Sequence, residues 1–114
     1  MQKTVFAITP PFTQLNTPYP ATAYLKGFLN TKNISCFQAD LGIEVILALF
    51  SKKGLTHLFQ YIESNKPNFS ENAQRITALQ DDYIQTIDAV ILFLQGKNPT
   101  LAHVICQESF LPEA

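Results

Sequence analysis

Arginine, cysteine and charge are all scarce in this chain, and each shortage removes a class of function. Arg75 is the single arginine, and the net charge at neutral pH is -1. No basic patch can then neutralise several phosphates or grip a guanine edge through two parallel hydrogen bonds, so nucleic acid is not an expected partner. The two cysteines, Cys36 and Cys106, are too few and too far apart for a disulfide framework or a thiolate metal site. Cys36 falls inside an expected strand, where a free thiol behaves as a small hydrophobe. No apolar run approaches the roughly 20 residues of a membrane span. The amino-terminal stretch, broken by Pro10 and Pro11, lacks the apolar length of a signal peptide. The expected location is the cytoplasm, with no membrane partner. Neither GxGxxG nor GxxxxGK[ST] occurs, which disfavours a cradle for a dinucleotide or a triphosphate.

What is present reads as one soluble domain, because 114 residues are too few for two separate cores. The organising stretch is Lys3 to Asp40. Thr4 to Thr9 (TVFAIT) is apolar at successive positions, the pattern of a central parallel strand covered on both faces. Pro10 and Pro11 end it, since proline cannot donate to the ladder, and a loop from Phe12 to Tyr19 follows. Pro20 suits a first helical turn, and Ala21, Tyr24, Leu25, Phe28 and Leu29 recur at helical spacing as far as about Thr31. Ile34 to Ala39 forms a second strand, parallel to the first, and Asp40 stands as N-cap of the next helix. A strand, helix and parallel strand within about 40 residues is the size of a βαβ unit.

Residues 42–52 form a helix whose apolar positions, among them Ile43, Val45, Ile46, Leu47, Leu49 and Phe50, surround its axis, so burial on more than one side is expected. Gly54 reads as its C-cap. Leu55, Leu58, Phe59 and Ile62 mark a short helix ending near Ser64, and the Pro67 region is a linker. Ser70 caps a long segment, 71–95, in which Ile76, Leu79, Tyr83, Ile87, Ile91 and Leu94 form one helical stripe. Unbroken, it would run on the order of 37 Å, longer than a small domain is wide, and a break near Asp81 and Asp82 is the alternative. Gly96 ends it, and Asn98 with Pro99 opens a last short helix through Leu101, Val104 and Ile105. The expected fold class is thus α/β and helix-rich: a Rossmann-like βαβ start over 1–54, with a small parallel sheet of two clear strands, then a helical portion over 55–114.

The residues VFAITPPF, then PYPATAYLKGFL, then a strand ending in an acid resemble the start of B12-binding radical SAM proteins. There a first strand runs into a Pro-Pro loop, a further proline opens a helix with a Tyr-Leu pair, and the next strand ends in an acid. The matching positions are Pro10 and Pro11, Pro20, Tyr24 and Leu25, and Asp40; the match covers about the first half of the chain. The resemblance implies a larger iron-sulfur oxidoreductase of which this chain, ending at FLPEA, is the amino-terminal cobalamin-binding-like piece, not catalytic alone. Its partner would be the rest of the same polypeptide, with cobalamin as a possible cofactor here and [4Fe-4S] and S-adenosylmethionine bound elsewhere. The CxxxCxxC loop that holds such a cluster is not in this chain. Nor is the DxHxxG loop that supplies a histidine to cobalt, for His57 lies in LTHLFQ and His103 in LAHVIC.

The candidate site is the loop at the first strand's carboxyl end, where open α/β sheets bind ligands. Thr9, Thr13, Gln14, Asn16 and Thr17 offer neutral donors and acceptors, with Pro10, Pro11 and Tyr19 shaping the loop and the amino end of the first helix favouring an anion. The same features also describe a surface loop held by its prolines. Asp40 could meet a ribose or corrin-amide group, or simply cap a helix. His57 and His103 read as packed or surface residues, and Asp81, Asp82 and Asp88 as solvated acids. No serine or cysteine has a base at identifiable spacing, which leaves nucleophilic catalysis without support. A different class of function also fits: a helical module that self-associates through its apolar helices or an open sheet edge. An independent flavodoxin-like domain is disfavoured, because strands three to five are not found.

Overall fold

A computed structural model describes residues 3–13, 15–17, 19–107 and 109–113. The chain divides into two compact units, Met1–Ile46 and Leu47–Ala114, with the boundary inside a helix. Among the described residues the fold is α/β and rich in helix, around one small sheet of two parallel strands.

In the first unit, β1 (Thr4–Thr9) pairs in parallel with β2 (Ser35–Asp40), Thr4 opposite Ser35 and Thr9 opposite Asp40. Parallel strands cannot be joined by a tight turn, so α1 (Ala21–Thr31) makes the crossover. Pro20 lies one residue before α1, and its carbonyl accepts the Tyr24 N–H at 3.1 Å. At the other end Asn33 adopts a left-handed φ of 56°. The Asn33 N–H reaches the Asn30 carbonyl, and the Ile34 N–H reaches that of Leu29 at 3.1 Å. This is a Schellman ending with asparagine in place of the usual glycine. It turns the chain straight into β2.

Strand residues alternate between two faces. One face carries Val5, Ala7 and Thr9 with Cys36, Gln38 and Asp40; Thr9 and Cys36 are buried, Ala7 and Asp40 half-buried and Val5 and Gln38 exposed, and α1 packs on the sheet. The other carries Phe6, Ile8 and Phe37, with Phe6 and Phe37 directly paired and 59% and 60% exposed. The expectation that β1 is central and covered on both faces therefore fails: among the described residues β1 has one neighbouring strand, and one of its faces is covered only in part, at Ala7 and Thr9. An apolar run records what a strand can bury, not what the surrounding chain supplies. Helix α1 ends at Thr31 as its spacing indicated, although Tyr24, Leu25 and Phe28 on it are exposed. The Lys32 ammonium sits 5.7 Å from the Phe28 ring centroid, a cation–π contact.

The next helix, α2 (Leu41–Leu49), stops three residues earlier than the pattern suggested. It is not buried on several sides either: Gly42 is its one buried residue, while Ile43 and Leu47 are exposed. In the second unit α3 spans Lys52–Asn65, so Gly54 lies in its first turn and is not the C-cap of α2. The physical reason is Ser51. Its hydroxyl donates to the Ala48 carbonyl at 2.8 Å and accepts the Gly54 N–H at 3.0 Å, ending one helix and starting the next. Gly54 is needed for closeness rather than for a left-handed turn, since a Cβ there would overlap the carbonyl oxygens of Ala48 and Leu49. Leu55 and Phe59 of α3 are 6% and 5% exposed and form the buried part of this unit.

Ser70 caps α4 (Glu71–Ala78) through the Ala73 N–H, and α5 runs Gln80–Leu94. The long segment thus breaks at Leu79, two residues before the acids that signalled it. Asp81 and Asp82 occupy the first turn of α5, where negative charge is favoured by the helix dipole. Helices α3 and α5 pack together, and Gln80 donates to Glu63 at 2.9 Å. Gly96, at φ 71°, ends α5 with a second Schellman pattern: its N–H meets the Phe93 carbonyl and the Lys97 N–H meets that of Leu92. A 3-10 turn, Pro99–Leu101, leads into α6 (Ala102–Ile105). No helix among the described residues is long and apolar enough to cross a membrane.

The glycines give opposite expectations in urea unfolding. Gly54→Ala should destabilise by about 1–3 kcal/mol through overpacking. Gly27→Ala, at a helical position with nothing within 4 Å, should stabilise by about 0.5–1 kcal/mol. A Gly54→Ala protein as stable as its parent would show that the α2–α3 junction is not close-packed.

Candidate functional site

The even register of the two parallel strands brings Thr9 and Asp40 level at the sheet's carboxyl edge. Beyond Thr9 the chain turns sharply, with the Thr13 hydroxyl donating to the Pro10 carbonyl at 3.2 Å. Phe12, within that turn, takes a left-handed φ of 64° while its side chain is 84% exposed. A bulky residue in this conformation is strained by about 1 kcal/mol or more. Beyond Asp40 the chain enters α2, and the Asp40 Oδ1 accepts the Ile43 N–H at 3.1 Å, as an N-cap does.

Gly42 lets these two stretches meet. A Cβ at that position would stand 3.0 Å from the Thr13 hydroxyl and 3.1 Å from the Asp40 Oδ1. The Pro10–Thr13 turn is therefore seated against the first turn of α2.

A cleft of about 490 Å³ opens at this end of the first unit. Of the residues expected from sequence, Thr17, Tyr19 and Asp40 line it. Thr13 and Pro10 meet the α2 turn at Gly42 and Thr9 is buried, 2% exposed; none of the three is among the described lining residues. Pro11 and Asn16 are exposed and are not among its described lining residues. Gln14 lies outside the described residues.

Sequence reasoning missed the other seven described lining residues, among them Leu15, Thr22, Gln38 and Glu44. Two of them carried a signal. Gln38 is two residues before Asp40, hence on the same strand face, and Glu44 is four residues after it, one helical turn on. Ala23, Ala39 and Ile43 complete the described lining with apolar surface.

The charge in the cleft is all of one sign. Asp40 and Glu44 bring carboxylates, and no Lys, Arg or His is among the described lining residues. Against them stands the amino end of α1, which has no side-chain cap and no acid in its first turn. Its first N–H groups are consequently left without helical partners. The expectation that this helix end favours an anion is thus opposed by two full negative charges.

The remaining candidates lie elsewhere. His57 on α3 and His103 on α6 are exposed, and both belong to the second unit. Cys36 is buried in β2 and Cys106 is exposed, both as free thiols. Asp81 and Asp82 are solvent-exposed. Asp88 does more than meet water: its Oδ1 accepts the Lys52 N–H at 2.8 Å, so an acid of α5 holds the amino end of α3. Among the described residues no group of three or more His, Cys, Asp or Glu is placed to hold a metal ion.

Fold and site together define a helix-rich α/β chain with an acid-bearing cleft at the carboxyl ends of a parallel strand pair. Compared with family models, with curated proteins and with solved structures, the chain finds no match.

Asp40→Ala should lower stability by about 1 kcal/mol through loss of the cap, and Asp40→Asn, which keeps an accepting oxygen, by less. Chemical unfolding of the two variants side by side checks this, and equal losses would remove capping as the role of Asp40.

Proposed function

We propose that this chain is the Rossmann-like, cobalamin-domain-like amino-terminal part of a larger radical SAM iron-sulfur oxidoreductase, without catalysis of its own. The observation that carries the reading is the unfinished sheet. Parallel sheets are stable when both faces are covered, and here Phe6, Ile8 and Phe37 stand exposed on one face while, among the described residues, each strand has a free edge. Further strands and helices from the rest of the polypeptide would complete it. The order strand, Pro-Pro loop, helix, strand, acid supports the same family assignment.

The unit that carries the cleft contains no histidine. Its residues do not fit a cobalamin held through a histidine–cobalt bond, and any corrin contact would run through Thr17, Tyr19 and Asp40 at its periphery. Two free cysteines do not fit a [4Fe-4S] cluster, which needs three thiolates. The cluster and S-adenosylmethionine belong, in this reading, to a separate domain.

The reading expects a CxxxCxxC in the full-length polypeptide, and cleavage of S-adenosylmethionine once its cluster is reconstituted. A full-length sequence without that motif overturns it. It also expects hydroxocobalamin to co-elute with the full-length protein on gel filtration; free cobalamin would reduce this region to a scaffold.

Self-association is a second reading, favoured by the exposed Ile43 and Leu47 of α2 and the open strand edges. Sedimentation of the 114-residue chain over a range of concentrations should then show a rising mean mass, and a constant monomer mass excludes it.

A further inference from the structure

We propose that the free edge of β1 pairs with the β1 edge of a second copy of this chain, antiparallel and about a two-fold axis normal to the sheet. The inference rests on the self-association reading and names the surface through which it acts.

Of the two edges left open among the described residues, that of β1 is the barer. Helix α1 contacts β2 more extensively than β1. Large apolar side chains of β1 are exposed on both faces, Val5 on one and Phe6 and Ile8 on the other, whereas Phe37 is the one large apolar residue of β2. An open strand presents a row of unpaired N–H and C=O groups, which proteins usually blunt with lysine, proline, a bulge or an inward-pointing charge. Thr4–Thr9 has none of these: its sequence is TVFAIT, and its register with β2 is unbroken.

Charge and symmetry select a second copy as the occupant. In a two-fold interface a patch meets itself, so a charged patch would repel its copy, and β1 carries no charge. Opposed residues of an antiparallel pair share a face, and the axis carries outer face onto outer face. The centre of the pairing must then fall on a residue, and Phe6 and Ala7 are the two at mid-strand. Phe6 therefore lies opposite either Phe6 or Ile8 of the second copy, a cross-strand aromatic or aromatic–β-branched pair of the kind that stabilises sheets. Lys3, the nearest charge in sequence, falls opposite Thr9 or Pro11 and never opposite its own copy. Pro10 has no N–H to donate, so the ladder ends at Thr9 and is no more than 6 residues long. So short an edge buries far less than the roughly 800 Å² per partner of a standard interface. The dimer is accordingly weak and concentration-dependent.

The test is sedimentation of the 114-residue chain over a concentration series, paired with amide hydrogen exchange at both ends of that series. The mean mass should rise towards twice the monomer mass and not past it. Alternate amides of β1, those turned away from β2, should exchange freely in dilute protein and become protected as the mass rises, while exchange in α2 stays unchanged. Phe6→Lys puts a lysine on the edge and should hold the chain at the monomer mass; Leu47→Lys, on α2, should dimerise as the parent does. The exchange measurement uses the parent chain, so it decides the matter even where Phe6→Lys fails to fold. A rising mass with unchanged β1 exchange overturns this proposal and leaves self-association to α2. A mass that climbs past the dimer also overturns it, because a two-fold β1 pair closes on itself. A constant monomer mass removes both the proposal and the reading beneath it.

Discussion

Everything in the first unit depends on the parallel pairing of β1 with β2. Two strands that run the same way must be joined by a crossover, and that single requirement fixes the place of α1 on the sheet. It also brings both carboxyl ends to one edge, Thr9 level with Asp40. The Pro10–Thr13 turn and the first turn of α2 leave from that edge together, and Gly42 has no side chain to hold them apart. The cleft is therefore a consequence of strand direction. It would not exist in a hairpin of the same two sequences, whose corresponding ends would lie at opposite edges.

The second unit depends on a different device, the handover between helices at Ser51. One hydroxyl serves the last turn of α2 and the first turn of α3, and Asp88 of α5 serves the next free N–H, that of Lys52. Three helices are thereby tied at one corner by two short polar side chains. Close approach at Gly54 completes the corner, so a small residue, a hydroxyl and a carboxylate replace the loop that would otherwise join α2 to α3.

Local chemistry made much of this legible. Pro10 and Pro11 end β1, Asp40 and Ser70 cap the helices that follow them, and Gly96 ends α5, because each acts within a turn or two of itself. The misreadings came from contacts that periodicity does not record, some of them long-range. Gly54 looks like a helix stop until Ala48 and Leu49 are seen against it. Asp88 looks like a solvated acid because its partner is 36 positions away. TVFAIT looks like a central strand because periodicity records apolar potential and cannot record which layers are present. The helix stop at Asn33 is a subtler case, since asparagine tolerates the left-handed region but announces it less plainly than glycine. For the site, loop polarity identified Thr17 and Tyr19, while Glu44 and Thr22 come from two other elements and converge only in the folded chain.

Burial sets a further constraint on what such a chain can be. Among the described residues the buried apolar side chains are Cys36, Leu55 and Phe59, while many large ones, including Phe6, Phe28, Phe37 and Ile43, are exposed. Folding must offset the entropy lost by every ordered residue, and apolar burial is the main term available to do so. Polar capping of the kind seen at Asp40, Ser51 and Ser70 fixes where helices begin, but each cap contributes only about 1 kcal/mol. It decides geometry more than stability. A sheet face bearing a Phe6–Phe37 pair is thus chemically unlike the cleft lined by Asp40 and Glu44: the face gains by exclusion of water, whereas the carboxylates of the cleft gain by keeping theirs.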